Sequence, residues 1–285
     1  MIFAFASLLS LKAIATDRDT PLGDKERPID QIPIIDGTFV HNVGDLQMNV
    51  TNWGIIGSMP NSNYPMREVP SAQFPAGSGV EYLFAAGIWV GAERSGLPSV
   101  STGYPEDEFR PQKDDPRAII YETFEGDLRG AHYPAIPDDD RDGLIDEDKL
   151  NGYDDDRDGK IDEDFIARGN QMFACEYTDN QAISTQLWPE HEPLEIKVYQ
   201  ETFQWGEDIY NNFIGARYTI TNNGFHPLVN VYLGIYADVD AGPRDRGTYH
   251  MDDMVGFWRG EWCAPRGNGE YPVDINIAYV YDDDG

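Results

Sequence analysis

An eleven-residue acidic phrase occurs twice in this chain, and no packed layer can absorb it. Asp138-Asp139-Asp140-Arg141-Asp142-Gly143-Leu144-Ile145-Asp146-Glu147-Asp148 returns sixteen residues later as Asp154-Asp155-Asp156-Arg157-Asp158-Gly159-Lys160-Ile161-Asp162-Glu163-Asp164, with only Leu144/Lys160 different. Residues 138–164 hold fourteen carboxylates against Arg141, Lys149, Arg157 and Lys160, a net of −10 out of −30 for the whole chain. Like-charge repulsion keeps such a segment open unless a cation collapses it. The fold must therefore carry it as an insertion outside the core.

The spacing within each phrase matches calcium chemistry. Calcium takes six to eight hard oxygen ligands, and a DxDxDG loop supplies them because alternate Asp side chains turn inward and the Gly permits a sharp reversal. The expected donors are Asp138, Asp140, Asp142, the carbonyl of Leu144 and Asp146 in the first loop, then Asp154, Asp156, Asp158, the carbonyl of Lys160 and Asp162 in the second. Ile145 and Ile161 fall at position eight, where such loops anchor an apolar side chain. An EF-hand also needs a Glu at position twelve and a helix on each side. Here position twelve is Lys149 or Phe165, and only five residues separate Asp148 from Asp154. Asp148 and Asp164, or Glu147 and Glu163, are the candidates for the closing oxygens. The segment thus resembles the calcium loops of thrombospondin type 3 repeats and dockerins, which implies two calcium ions. Extracellular modules of this kind bind with Kd of about 10⁻⁴ to 10⁻³ M, so near-millimolar calcium contributes about 0.4 to 1.4 kcal/mol per site. That is enough to order an insertion and too little to hold up a domain.

Outside the repeats, the chain reads as strands. With 285 residues, 40% hydrophobic, it has ample material for a packed core. Short alternating runs at 38–43, 46–53, 118–124, 194–205, 213–221, 228–236 and 275–281 are broken by Gly, Pro and Asn clusters. Residues 82–92 are apolar on both faces and predict a central strand, with Gly87 a bulge or close-packing point. Residues 194–205 alternate as a long half-buried strand. In 213–221 and 228–236 the faces Ile214, Ala216, Tyr218, Ile220 and Val229, Val231, Leu233, Ile235 flank Asn222-Asn223-Gly224, which predicts an antiparallel ribbon. Many short strands with turn signals between them give an all-β, antiparallel β-sandwich, jelly-roll or immunoglobulin-like. The repeats interrupt this pattern as an insertion within one sandwich, spanning 34–285, or as a hinge between two small ones; the insertion is the simpler reading.

The ends carry their own signals. Ile2 to Leu11 is apolar but too short to span a membrane, and Ala13-Ile14-Ala15 is a small-x-small cleavage signature, so residues 1–15 read as a secretory signal peptide. It lacks a basic start, so a start further upstream is one expectation, and a buried N-terminal strand or helix is the other reading. Residues 16–33, rich in Pro, Asp and Arg, read as a linker. Tyr281-Asp282-Asp283-Asp284-Gly285 looks like the opening of another acidic loop and suggests a longer polypeptide. Cys175 and Cys263 have no CxxC spacing; they can pair in an oxidising compartment or remain two buried thiols.

Catalytic signatures are sparse. There is no GxSxG elbow, no phosphate loop, and His191-Glu192 is not followed by the second His of HExxH. The five histidines, His41, His132, His191, His226 and His250, are scattered and read as surface or turn residues. Carboxylate pairs for glycoside hydrolysis remain open, because sequence does not reveal their separation. Asp238, Asp240, Asp245, Asp252 and Asp253 form a weaker cation candidate whose simpler reading is strand-end capping. Trp188, Trp205, Trp258 and Trp262 are either a sugar-stacking platform or core filling, the latter being commoner. A net charge of −30 disfavours nucleic acid and anionic membranes as partners.

Tyr82-Leu83-Phe84-Ala85-Ala86-Gly87-Ile88-Trp89-Val90-Gly91-Ala92, the acidic repeats, Tyr218-Thr219-Ile220-Thr221-Asn222-Asn223-Gly224 and Val231-Tyr232-Leu233-Gly234-Ile235-Tyr236-Ala237-Asp238-Val239-Asp240 resemble segments of large secreted proteins of Gram-negative bacteria exported with C-terminal sorting tails. The resemblance spans most of 36–285, without the tail, and implies a surface or secreted multidomain protein with no assigned activity. The expected function is a secreted or cell-surface calcium-binding sandwich with a structural, adhesive or ligand-binding role toward an extracellular glycan or protein. The alternative is an accessory or catalytic module of a secreted polysaccharide- or protein-degrading hydrolase.

Overall fold

The computed structural model describes residues 5–6, 39–57, 69–104, 108–112, 119–125, 149–154, 157, 159, 161–162, 165–182, 184, 189–243, 251, 253–266 and 269–282, with the backbone alone for 5–6, 261–266, 269–276 and 282. Sixteen strands occur among these residues: β1 (Phe5–Ala6), β2 (Phe39–His41), β3 (Gln47–Val50), β4 (Ile55–Gly57), β5 (Ser71–Gln73), β6 (Val80–Glu81), β7 (Ala85–Arg94), β8 (Leu97–Thr102), β9 (Tyr121–Phe124), β10 (Gln171–Thr178), β11 (Ile196–Gln204), β12 (Ile214–Asn222), β13 (Leu228–Asp238), β14 (Gly242–Pro243), β15 (Asp253–Arg266) and β16 (Gly269–Asp282). No helix among the described residues is long and apolar enough to cross a membrane.

Two antiparallel sheets face each other, as the strand pattern predicts. The front sheet has seven strands in the order β13-β7-β4-β3-β2, with β5 beside β3 and β8 beside β7; the back sheet has four, in the order β12-β11-β10-β9. Val50, Ile88, Val90 and Ala92 from the front meet Phe173, Cys175, Tyr177, Ile196 and Val198 from the back, and Phe109, Ile120 and Leu194 complete the cluster. These residues occupy the inward half of a period-two alternation, and their burial is the main stabilising contribution, about 25 cal/mol per Å² of apolar surface. Leu46, Met48, Ile56, Ala72, Leu83 and Ala86 form a second cluster, against which Ile214 of the back sheet packs. Neither sheet closes into a barrel.

Polar ties cross between the sheets. His41 Nε2 lies 2.9 Å from Thr202 Oγ1, Asn42 N donates to Gln171 Oε1 at 3.0 Å, and Val43 N donates to Gln204 Oε1 at 3.1 Å. Gln200 Nε2 reaches Thr51 O at 3.3 Å. Buried polar groups need partners of this kind, and each such pair fixes the register of one sheet over the other.

Local sequence explains two tight features. β7 turns into β8 through Ser95 and Gly96, both with positive φ (54° and 81°), as a two-residue hairpin of matching twist requires. Gly87 is a close-packing point: a Cβ there would stand 2.5 Å from Tyr104 N.

Three expectations are corrected. The ribbon of 213–221 with 228–236 does not form: β12 pairs with β11 in the back sheet and β13 pairs with β7 in the front sheet. Tyr218 and Ile220 face Val231 and Leu233 across the core, so the Asn222-Asn223-Gly224 segment carries the chain from one sheet to the other. Alternation reports which face is buried and says nothing about which neighbour pairs. Within β13 the register slips between Val229 and Tyr232, Asn230 has φ of 53°, and Val229 points to solvent instead of sharing a face with Val231. Finally β11 is buried on both faces, not half-buried, because the insertion covers its outer side. The expected strand 275–281 is the end of a longer hairpin, β15 with β16, separate from the sandwich sheets and joined by β1, where Phe5 pairs with Ala278. The rest of the expected signal peptide, and the linker 16–33, lie outside the described residues.

Candidate metal centre

The acidic insertion leaves the back sheet after β9 and returns at β10, two adjacent antiparallel strands in which Tyr121 is opposite Ala174. The outer face of these strands is apolar, and the insertion covers it. Leu150 and Phe165, both about 1% exposed, pack on Tyr121, Met172, Ala174 and Tyr199. Lys149 lies over the Tyr199 ring, 5.3 Å from its centroid, and reaches the buried Glu176 carboxylate at 3.9 Å. Lys149 and Phe165 are the two position-twelve residues, where an EF-hand would place its chelating Glu. Both instead dock the ends of their loops on the sheet.

Asp154 and Asp162 are the expected ligands that the structure describes. Asp154 Oδ2 accepts a 2.9 Å hydrogen bond from Gly159 N, the contact by which a first-position carboxylate holds the sixth-position turn, and Gly159 has φ of 98°. Asp154 Oδ1 is buried and has no hydrogen-bond partner among the described residues. Asp162 N donates to Tyr153 O at 3.0 Å and closes the loop at its neck. The Asp162 carboxylate is 2% exposed, and its Oδ1 accepts from Asn151 N at 2.7 Å and also from Gly152 N. Gly152, with φ of 80°, sits so close to Tyr121 Oη that a Cβ has no room. Asp162, assigned by spacing as a ninth-position ligand, thus uses one oxygen as a clasp on the neck.

Asp156, Asp158, Lys160 and Asp164 of the second loop, and Asp138, Asp140, Asp142, Leu144, Asp146 and Asp148 of the first, lie outside the described residues. Among the described residues no group of three or more His, Cys, Asp or Glu is arranged to hold a metal. Two described features suit a hard cation: a positive-φ glycine at position six, and a buried Asp154 oxygen with no hydrogen-bond partner among the described residues.

The other candidates resolve differently. Asp238 Oδ2 accepts a 2.8 Å bond from Tyr104 Oη, and Asp253 Oδ1 accepts from Ala241 N at 3.1 Å, so both carboxylates serve strand ends; Asp245 and Asp252 lie outside the described residues. Burial and the Asp238 bond push the Tyr104 hydroxyl well above its ordinary pKa. Trp205 packs against Phe203 and Phe213, while Trp258 is exposed on β15, in a different sheet. Trp188 and the Trp262 side chain lie outside the described residues. Strand alternation did not single out Trp89, which stacks on Tyr236 on the outer face of the front sheet at 5.5 Å between centroids. His41, expected at the surface, is fully buried against Phe173, because its ring fills the interior between β2 and β11. His191 Nε2 stands 3.2 Å from the buried Glu108 carboxylate. His226 lies in the loop between the sheets, and His132 and His250 lie outside the described residues. Cys175 is buried, its Sγ 3.6 Å from Thr51 O, and the Cys263 side chain lies outside the described residues. Comparison of the chain with protein-family models, with curated proteins and with solved structures finds no match.

Proposed function

We propose that this chain is a secreted or cell-surface β-sandwich protein whose acidic loops take calcium, two ions in all, and whose role is structural, adhesive or ligand-binding. The observation that carries the reading is the second loop: Asp154 accepts from Gly159 N with one oxygen, and its other oxygen is buried with no hydrogen-bond partner among the described residues. Asp154, Asp156, Asp158, the Lys160 carbonyl, Asp162 and Asp164 would hold one ion, and Asp138, Asp140, Asp142, the Leu144 carbonyl, Asp146 and Asp148 the other. Bound calcium supplies positive charge where residues 138–164 carry −10.

Localisation follows from affinity. Loops with Kd of about 10⁻⁴ to 10⁻³ M fill where calcium is abundant, outside the cell. The apolar N-terminal run with its Ala13-Ile14-Ala15 signature, and the resemblance to proteins with sorting tails, support the same compartment.

Titration calorimetry tests the reading. The expected result is two calcium ions per chain at submillimolar to millimolar Kd, reduced to one by Asp154→Asn. No heat and no competition with terbium at millimolar calcium would sink it. A glycan array run with a broad hydrolase screen distinguishes a binding role from that of a hydrolase module.

A further inference from the structure

The outer face of the front sheet carries a pattern that packing does not explain. Each aromatic residue on that face of β7 and β13 stands opposite a glycine: Tyr236 opposite Gly87, Trp89 opposite Gly234, and Tyr232 opposite Gly91. Rings laid over strand glycines are ordinary shielding, and in this chain Gly87 is closed by Tyr104 just as Gly256 is closed by the Tyr279 ring. Gly91 and Gly234 are different. Among the described residues, a Cβ at Gly234 would meet only Trp89 Cβ, at 3.9 Å, and one at Gly91 would come no closer than 3.6 Å, to Val100 Cγ2. Neither glycine has a positive φ. Glycine inside a strand weakens it, and where neither sterics nor backbone conformation requires it, it marks a place kept clear for a close approach. Trp89 and Tyr232 occupy two corners of a square on the sheet, and Gly91 and Gly234 occupy the other two. The result is a bare floor beside two rings.

The rings are set before anything arrives. Trp89 stacks on Tyr236 with ring centroids 5.5 Å apart and planes 9° from parallel, and Trp89 Nε1 donates to Tyr104 O at 2.6 Å. Tyr104 Oη in turn donates to Asp238 Oδ2 at 2.8 Å. Tyr232, 73% exposed, stands on the other side of the floor, and beyond it Asn230 Nδ2 donates to Glu93 Oε1 at 2.9 Å. Asp238 pairs with Ala85, so the strip from Asp238 to Glu93 runs about 25 Å along β7 at the rise of a strand. That length suits an extended chain of rings better than a single small molecule.

We propose that this strip binds a neutral glycan chain, with sugar rings lying over Gly91 and Gly234 and stacking on Trp89 and Tyr232. A pyranose offers a flat C–H face to an aromatic ring and hydroxyls at its rim, and the strip supplies rings along its length and polar groups at its ends. Charge selects the class. The chain carries −30 and the strip ends in Glu93 and Asp238, which repels anionic polymers. Both carboxylates already accept from a neutral donor, Asn230 or Tyr104, and the floor between them is uncharged, so a polyhydroxy ligand fits it better than a cationic one. The proposal gives a site and a ligand class to the ligand-binding role stated above. It rests on that role and not on calcium, because the acidic insertion covers the outer face of the other sheet.

Affinity electrophoresis and tryptophan fluorescence on the full chain test it. The neutral probes are soluble mixed-linkage β-glucan, xylan, galactomannan and a starch-type α-glucan, and the charged probes are alginate and chitosan. At least one neutral probe should retard the protein, in chelator as well as in calcium. Tyr232→Ala removes an exposed ring and should weaken that binding about tenfold or more. Gly234→Thr is the decisive variant. Threonine suits a strand and finds room there, so the melting temperature should hold or rise while the filled floor costs about tenfold or more in affinity. If no neutral probe binds, if only the charged probes bind, or if both variants bind like wild type, the proposal is overturned. Calcium uptake without glycan binding overturns it and leaves the calcium reading standing; glycan binding without calcium uptake does the reverse.

Discussion

Ser101 Oγ on β8 of the front sheet donates a 2.6 Å hydrogen bond to Asp179 Oδ2, just beyond β10 of the back sheet. The same carboxylate accepts from Leu194 N at 2.8 Å and Ile196 N at 2.9 Å, so one fully buried side chain fixes a sheet-to-sheet contact and the entry to β11. Asp179→Ala strands two buried amides and a hydroxyl. A loss of about 3 kcal/mol or more is expected by denaturant titration, against about 1 kcal/mol for Ser101→Ala. Equal and small losses would show that the contact matters little.

His41 makes the protein sensitive to acid. Burial lowers its pKa from 6.5 to about 3. Between those values the unfolded chain binds a proton that the folded chain refuses, so stability falls as pH drops from 6.5 toward 3. His41→Gln keeps a group that can bond Thr202 and removes the proton. Between pH 7 and pH 4.5 in chelator, wild type should lose about 2 kcal/mol more than the variant. Asp179 acts in the opposite direction: burial raises its folded pKa, so its contribution diminishes as pH rises through that pKa.

Gly152→Ala sets a methyl group against Tyr121 Oη at a position with φ of 80°. The expected result is a loss of about 1 to 3 kcal/mol, with new protease cleavage near residues 149–154 while the sandwich sheets stay protected. Cleavage spread evenly over the chain would contradict a local role.

Gly87→Ala places its methyl 2.5 Å from Tyr104 N, backbone against backbone at the centre of the front sheet. It should destabilise by about 2 kcal/mol or more, and unlike Gly152→Ala it should leave calcium binding untouched when measured below the melting temperature.

The all-β class, the two sheets' inward residues and the close approach at Gly87 were legible because period-two alternation and glycine placement are local signals. The partner of each strand was not. Residues 213–221 and 228–236 present apolar faces that serve equally well in a hairpin or across a core, and the pairing partners, β11 and β7, lie before them in the chain. The second half of the site was hidden for a related reason. Phe165 and Lys149 were identified in the sequence only as departures from an EF-hand, since nothing local reveals that the sheet under the insertion has an apolar outer face. That face was readable as Tyr121, Met172, Ala174 and Tyr199, but only once β9, β10 and β11 were known to be neighbours. Asp179 and His41 were invisible because an isolated polar residue in or beside a strand gives no sign of being buried.

The slip in β13 at Asn230 has a consequence for how this protein meets copies of itself. β13 is an edge strand eleven residues long, paired among the described residues with β7 alone, and it exposes Val229, Tyr232 and Ile235. A straight strand of that length and composition is a template for another chain to add to. Asn230, in the left-handed region and tied by its Nδ2 to Glu93 at 2.9 Å, breaks the row of edge amides and carbonyls into two short, misaligned halves. The irregularity that spoils the strand's alternation is also a guard against open-ended aggregation.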